Sequence, residues 1–315
     1  MTTPQEKIVY IVFANSGTEN FFNPNGENGE WIEYSLKKRL EDLGYTVQFS
    51  IDGANLNPSA AVISWDVNEE ILKNLSSIPR KQCSLIAFEP PHVAPIMYSE
   101  ETRKVFGRIL IFFDDLVDNQ NYFRFYYPFR KAALAKPKEL PSFEEKKFCV
   151  GIQGNKYFHP HPDELYTERK QAFNFFTRTG EFDIYGPNWV GYPNWKGMIP
   201  DPLNQTYKNY KFSLIFENWK NHKGYITERL FAGMSSRSIP AYWGASDITD
   251  YVPKDCFIDL RDFPNYQEVY RFMKSMSKET YQTYIDAIDH YFATTDKLKP
   301  FEKDNWIQTI TSHLS

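Results

Sequence analysis

Between Phe216 and Gly244 the chain reads FENWKNHKGYITERLFAGMSSRSIPAYWG. Two carboxylates (Glu217, Glu228), an amide (Asn218), a phenol (Tyr225) and a guanidinium (Arg229) crowd into its first half. Read as a helix over Gly224 to Met234, the segment places Ile226, Leu230 and Gly233 on one face and Tyr225, Glu228 and Arg229 on another. The apolar face would dock on a sheet, and the polar face would point along the sheet edge. The preceding loop, WKNHKG, supplies backbone N–H groups at the expected helix start. Amides, a guanidinium and a phenol together describe a phosphate site. Glu228 is unsuited to face phosphate but can accept hydrogen bonds from ribose hydroxyls. The same spacing also describes a solvated helix with a Glu/Arg pair, and neither GxGxxG nor GxxxxGK[ST] occurs in the chain.

Other candidates lie at the ends of apolar runs. Arg169 opens the helical stretch RKQAFNFF, downstream of the strand-like FCVGIQGN, and is read either as a second cation for the same site or as one of 36 Lys and Arg residues on solvated faces. Glu89 closes CSLIAFE and is followed by Pro90 and Pro91. A carboxylate beside Phe88 is expected to be partly desolvated with a raised pKa, which suits a general base. The plain alternative is a Glu that starts a loop. His159 and His161 in HPHP have metal-like spacing, but two imidazoles in an extended Pro-rich loop make a weak site. His222 in WKNHKG is a candidate for a proton or a hydrogen bond. No Asp-x-Asp and no GxSxG occurs, which argues against an Asp-x-Asp clamp on a diphosphate and against a serine hydrolase.

These residues need strands and helices to hold them. KIVYIVFAN, YTVQF, AVISWD, CSLIAFE and RILIFFDD read as strands, with helices over Trp31–Leu43 (stopped by Gly44) and NEEILKNL between them. Arg130 to Lys147 is charged, carries two prolines and lacks an apolar period, so a linker is expected there. The alternation then restarts with FCVGIQGN, YTERKQAFNFF, FDIYG, KFSLIFEN, IPAYW and CFIDL. Such alternation implies α/β architecture with mostly parallel sheets covered by helices. Ligands of such sheets sit beyond the carboxyl ends of the strands, and two sheets facing one another would share a cleft.

Composition sets outer bounds. Of 315 residues 42% are hydrophobic, enough for a core, and 17% are aromatic, with 26 Phe and 21 Tyr. That aromatic excess reads first as core and second as stacking surface for a sugar or nucleobase. A net charge of −4 excludes a generic nucleic-acid binder. Cys83, Cys149 and Cys256 are scattered and follow no CxxC pattern, so buried free thiols in a reducing compartment are expected. With no 18-residue apolar run, the expectation is a cytoplasmic protein, soluble or held peripherally at the inner face of a membrane.

FEN, then GYITER, then SIPAYWG resembles the donor-binding motif of the α1,3/1,4-fucosyltransferase family, glycosyltransferase family 10, where it is typically FEN…GYVTEK…PIYWG. Arg169 ahead of DIYG, Glu89 in FEPP and the strand CFIDLRDF fit the same pattern, most densely over Phe148 to Phe263. The resemblance implies a GT-B fold of two Rossmann-like domains facing across a cleft. The domains expected on that basis are 1–135 for the acceptor, a linker over 136–147, 148–295 for the nucleotide sugar, and a helical segment, 296–315, returning to the first domain. It implies transfer of L-fucose from GDP-fucose, with inversion, to a hydroxyl of an oligosaccharide or glycolipid, by α1,3 or α1,4 linkage to GlcNAc or Glc. Glu89 would be the base. Arg169 and Arg229 would face the diphosphate, Tyr225 and Asn218 would bond the donor, and Glu228 would hold ribose. GDP-fucose is then a substrate, no cofactor is required and no metal is indicated. Two departures stand out: Arg229 replaces the usual Lys, bringing a bulkier bidentate fork, and Pro90 replaces Ser. Other readings are a transferase of the same fold with a different nucleotide sugar, and a sugar-binding homologue that has lost catalysis.

Overall fold

A computed structural model describes residues 7–14, 18–23, 32–129, 136–156, 161–199 and 203–314. His159 and the first residues of the expected linker, 130–135, lie outside this set. The chain forms two compact units, residues 1–128 with 300–315, and residues 129–299.

The first unit is built on β1 (Lys7–Val12), β2 (Tyr45–Ser50), β3 (Ala61–Ser64), β4 (Cys83–Ala87), β5 (Arg108–Ile111) and β6 (Tyr122–Arg124), in sheet order β2-β1-β3-β4-β5-β6. Every pairing is parallel. Strands buried on both faces read as unbroken apolar runs, and Leu85, Ile86, Ala87, Ile109, Leu110 and Ile111 are fully buried. The edge strand β2 instead alternates between half-buried and exposed residues. Helix α1 (Ile32–Asp42) buries Leu36 and Leu40, whereas Leu43, expected on that face, lies past the helix end and is exposed. Gly44 has φ +84°, a left-handed stop that glycine adopts without a Cβ penalty. Helix α2 (Glu69–Leu75) is capped by Asn68, whose side chain accepts from the Ile71 amide, and α3 (Glu100–Val105) by Ser99 in the same way.

The second unit has β7 (Lys147–Ile152), β8 (Phe182–Tyr185), β9 (Tyr210–Phe216), β10 (Ile239–Trp243) and β11 (Ile258–Asp259), again parallel, in order β11-β10-β9-β7-β8. The chain leaves β7 for β8 on one side and then crosses to β9 on the other. The crevice at the carboxyl ends of β7 and β9 is therefore the place where such a sheet takes ligands. Helix α4 (Tyr166–Thr177) seats Phe173 against β7 so closely that a Cβ on Gly151 would lie 2.2 Å from the ring. Helices α5 (Leu203–Tyr207), α6 (Glu228–Ser235), α7 (Ile248–Tyr251), α8 (Tyr266–Ser275) and α9 (Lys278–Thr294) complete this unit. Helix α10 (Lys303–Ser312) belongs to the first unit, where the buried Trp306 ring lies 5.6 Å from Trp65 and 6.2 Å from Phe88. Among the described residues no helix is long and apolar enough to cross a membrane. The three cysteines are free and buried, and burial pushes the Cys83 and Cys256 thiols up to about 12.

The stretch expected as a linker is packed where it is described. Phe143 lies 5.0 Å from Tyr281 with the Lys211 ammonium 3.7 Å from its ring. Lys146 is buried, donates to the Arg237 carbonyl and lies over the Tyr281 ring. Its partners lie far along the chain, so local composition carried no sign of them. Burial, with the Arg237 charge adding, pushes the Lys146 amine down to about 7.

Between pH 7 and the ordinary lysine range the folded unit therefore binds fewer protons at Lys146 than the unfolded chain does. The burial costs stability at pH 7 and below, and that cost is lifted as pH rises. The stability of the protein relative to its Lys146→Met variant, followed by denaturant unfolding, should climb from pH 7.5 to 9.5 by up to about 1.4 kcal/mol per pH unit. Parallel curves for the two proteins would contradict this assignment.

Candidate functional site

The site starts from one strand end. At the close of β9, Gln153, which follows β7 and is itself buried, clamps Phe216 through both amide atoms: it accepts from the Phe216 N–H and donates to the Phe216 carbonyl. The next residue, Glu217, is fully buried, and its N–H donates to the Trp243 carbonyl at the end of β10. A carboxylate placed there must be satisfied. It accepts from the Thr227 amide (3.0 Å), the Thr227 hydroxyl (2.8 Å) and the Arg229 guanidinium (2.9 Å). Burial pushes the Glu217 carboxyl upward, and the Arg229 charge is the leading force against it. Gly244 leaves room for this arrangement, because a Cβ there would meet the Tyr242 hydroxyl at 2.2 Å and Glu217 Cγ at 2.5 Å.

This network decides where helix α6 begins. The expected helix over Gly224 to Met234 is shorter, running Glu228–Ser235 with Thr227 as its N-cap. Gly224 has φ +71° and its N–H donates to Asp247 (2.9 Å), while the Ile226 N–H returns to the Gly224 carbonyl. Tyr225 therefore precedes the helix. It is a buried residue whose ring packs edge-on against Trp219, and it does not lie on a polar helical face. Nor does the WKNHKG loop form the helix start: the Lys220 amide bonds the Asp163 carbonyl and the Gly224 amide bonds Asp247. His222 stacks on Trp219 with its Nε2 3.7 Å from Asp163, so it serves the loop.

Arg169 reaches the same strand end from α4. It stands one turn ahead of Phe173, on the face that docks against β7. Its guanidinium is buried and donates to the carbonyls of Phe216 (3.3 Å), Glu217 (3.2 Å) and Gly154 (3.4 Å) and to the Asn218 side-chain oxygen (3.1 Å). Those acceptors are neutral. Burial and then the neighbouring Arg229 bring its pKa down to about 10, so it stays a cation at pH 7. Glu228, the first residue of α6, holds a buried Oε2 with no hydrogen-bond partner among the described residues. The structure thus gathers Arg169, Asn218, Tyr225, Glu228 and Arg229 around the carboxyl end of β9. The sequence reading gave no role to Gln153, Thr227 or the full burial of Glu217. A polar residue closing an otherwise apolar strand, as in FCVGIQ and KFSLIFE, was the available signal.

Glu89 lies in the first unit. Strand β4 stops at Ala87, two residues earlier than the apolar run suggested, because Phe88 leaves the sheet to pack near Trp65, Phe125 and Tyr127. Glu89 is half-buried, and its backbone carbonyl accepts from the Tyr98 hydroxyl at 2.7 Å. The Pro90 carbonyl accepts from the amides of Val93 and Ala94, so FEPP turns sharply. Among the described residues no cluster of His, Cys, Asp and Glu has the make-up of a metal site.

Comparison with known proteins adds an independent line. Residues 159–312 match the family model described as glycosyltransferase family 10 (fucosyltransferase) C-term. A 4-galactosyl-N-acetylglucosaminide 3-alpha-L-fucosyltransferase 9 of Mus musculus is 33% identical over 142 residues, 44% of this chain and 35% of that protein. An alpha-(1,4)-fucosyltransferase of Arabidopsis thaliana is 34% identical over 93 residues, 30% of this chain and 23% of its own length. The chain thus spans about a third of the first of these relatives. The crystal structure of an alpha1,3-fucosyltransferase with GDP overlays all of this chain and 92% of its own, with a TM-score of 0.61 at 15% identity. An alpha,alpha-trehalose-phosphate synthase (UDP-forming) from Burkholderia vietnamiensis overlays 98% of the chain and 97% of its own, with a TM-score of 0.58 at 8% identity. At such identities the likeness establishes the fold, the GT-B class.

The Glu217 network fixes what substitutions at Arg229 should do. Arg229→Met strands a buried carboxylate and should lower stability by about 3–5 kcal/mol. Arg229→Lys keeps the charge and should lose about 1 kcal/mol, the net worth of one hydrogen bond. Guanidinium chloride unfolding measures both, and equal losses would contradict the pairing.

Proposed function

We propose that this chain, which over residues 159–312 matches the glycosyltransferase family 10 (fucosyltransferase) C-term model, transfers L-fucose from GDP-fucose to a glycan hydroxyl. The product would be an α1,3 or α1,4 linkage to GlcNAc or Glc, formed with inversion at the anomeric carbon. The observation that carries this reading is Arg169: a buried cation at the carboxyl ends of β7 and β9, held by neutral oxygens, with Arg229 nearby. A site built that way is electrostatically incomplete and favours an anion beside it.

In the reaction the acceptor hydroxyl attacks the anomeric carbon as the bond to the β-phosphate oxygen breaks. Glu89 takes the hydroxyl proton, and the departing electron pair stays on GDP. Arg169 and Arg229 stabilise that growing charge, so no divalent ion is needed. The loss of one such donor should raise the barrier by about 2.7–4 kcal/mol. Asn218 holds Arg169 in place, which also positions its amide nitrogen for the donor. Tyr225 adds a phenol, and the Glu228 carboxylate accepts from the ribose hydroxyls. The setting we assign to this chemistry is the cytoplasm, including the inner face of a membrane bearing a glycolipid acceptor. A second reading, a different nucleotide sugar, draws support from the fold shared with the UDP-forming synthase.

GDP release from GDP-fucose, with UDP-sugars in parallel, across an array of GlcNAc- and Glc-terminated glycans tests the proposal. Acceptor-dependent release from GDP-fucose alone is expected, and it should persist in EDTA. Glu89→Gln should lower kcat by about 10²–10⁴ while GDP still binds. Turnover of UDP-sugars only, or an unchanged rate in Glu89→Gln, would overturn the reading.

A further inference from the structure

The first unit has a second feature, at the opposite end of its sheet from Glu89. Parallel pairing brings the starts of β1, β2, β3 and β5 and the turn before β4 together, as in the registers Lys7↔Tyr45 and Ser84↔Arg108. A cavity of about 810 Å³ opens there, lined by Lys7, Tyr45, Lys81, Arg108 and His313 among others. The five residues of β4 separate it from the Glu89 end by roughly 17 Å.

The lining is of one sign. Three cations and an imidazole face the cavity, and none of its described lining residues is Asp or Glu. Lys7, Lys81 and Arg108 form no ion pair among the described residues, unlike Lys37, Lys104, Arg124, Lys147 and Lys254. Arg108 is fixed in place, since its Nη1 donates to the Lys81 carbonyl at 2.7 Å. The Lys7 ammonium stands 5.8 Å over the Tyr45 ring. His313, at the end of α10, packs 5.0 Å from Phe123. Burial and then the Arg108 charge push its pKa down. Gathered like charges in a recess repel one another, and an anion relieves that repulsion. The volume fits a small metabolite. An anchored guanidinium edge with two ammoniums suits tetrahedral oxygens better than a planar ring.

We propose that this cavity binds a small phosphate-bearing molecule, at a site separate from the crevice assigned to the nucleotide sugar. This goes beyond the transferase reading and does not depend on it. The imidazole of His313 lines the cavity and is its local reporter, identified by its absence in a His313→Gln spectrum. Inorganic phosphate and glucose 6-phosphate, titrated into the full chain, should shift the His313 resonances saturably in the millimolar range or below. The His313 pKa should rise, because a bound anion favours imidazolium. Lys7→Gln/Lys81→Gln, two exposed positions whose change leaves the fold intact, should weaken binding at least 10-fold. Equal shifts from sodium chloride at matched ionic strength would reduce the effect to screening and overturn the proposal. So would full binding in the double variant, or binding to phosphatidylglycerol vesicles with none to glucose 6-phosphate.

Discussion

Glu217 is a carboxylate with no exposure to water, placed where a central strand ends. That single constraint organises the second unit's functional edge. A buried charge of this kind is tolerated when its oxygens are hydrogen-bonded and an opposite charge stands close. The Thr227 amide and hydroxyl meet the first need and Arg229 the second. In meeting them they fix the start of α6, hold the loop after β9 in a single course and place Arg229 beside Arg169. Stability and site geometry are thus one network here, and neither can be changed without the other.

Arg169 shows the complementary situation. It is buried among carbonyl oxygens at the end of a parallel sheet, where partial negative charge accumulates. Those dipoles allow the cation to be buried but do not neutralise it. Under the proposed transfer, a diphosphate beside it would complete the charge balance, and leaving-group stabilisation would follow from the same electrostatics without reorganisation of the site. The guanidinium at position 229 fits this scheme, since one edge can hold Glu217 while the plane retains further donors.

Much of this was legible in the residues. Parallel strands covered on both faces read as continuous apolar runs, so CSLIA, RILI and FCVGI declared themselves. Gly44 marked a helix end by the only means a sequence has, a residue that tolerates positive φ. What could not be read depended on distant partners. The start of α6 is set by a carboxylate ten residues upstream in sequence, which overrides a plausible helical period at Tyr225 and Ile226. The charged stretch before β7 looked like a linker, yet Phe143 and Lys146 are packed against Tyr281 and Arg237. The three-residue strand β6 is too short for periodicity to reveal. Arg169 could be named from its place in a pattern, but its burial among carbonyls required the fold.

The central claim is that two guanidiniums at the ends of β7 and β9 hold the leaving diphosphate. A crystal structure of the chain with GDP tests it most directly. The account predicts diphosphate oxygens within about 3.2 Å of donors on both Arg169 and Arg229, with Arg229 still paired to Glu217. GDP bound elsewhere, or bound there with its diphosphate turned away from both side chains, would contradict it.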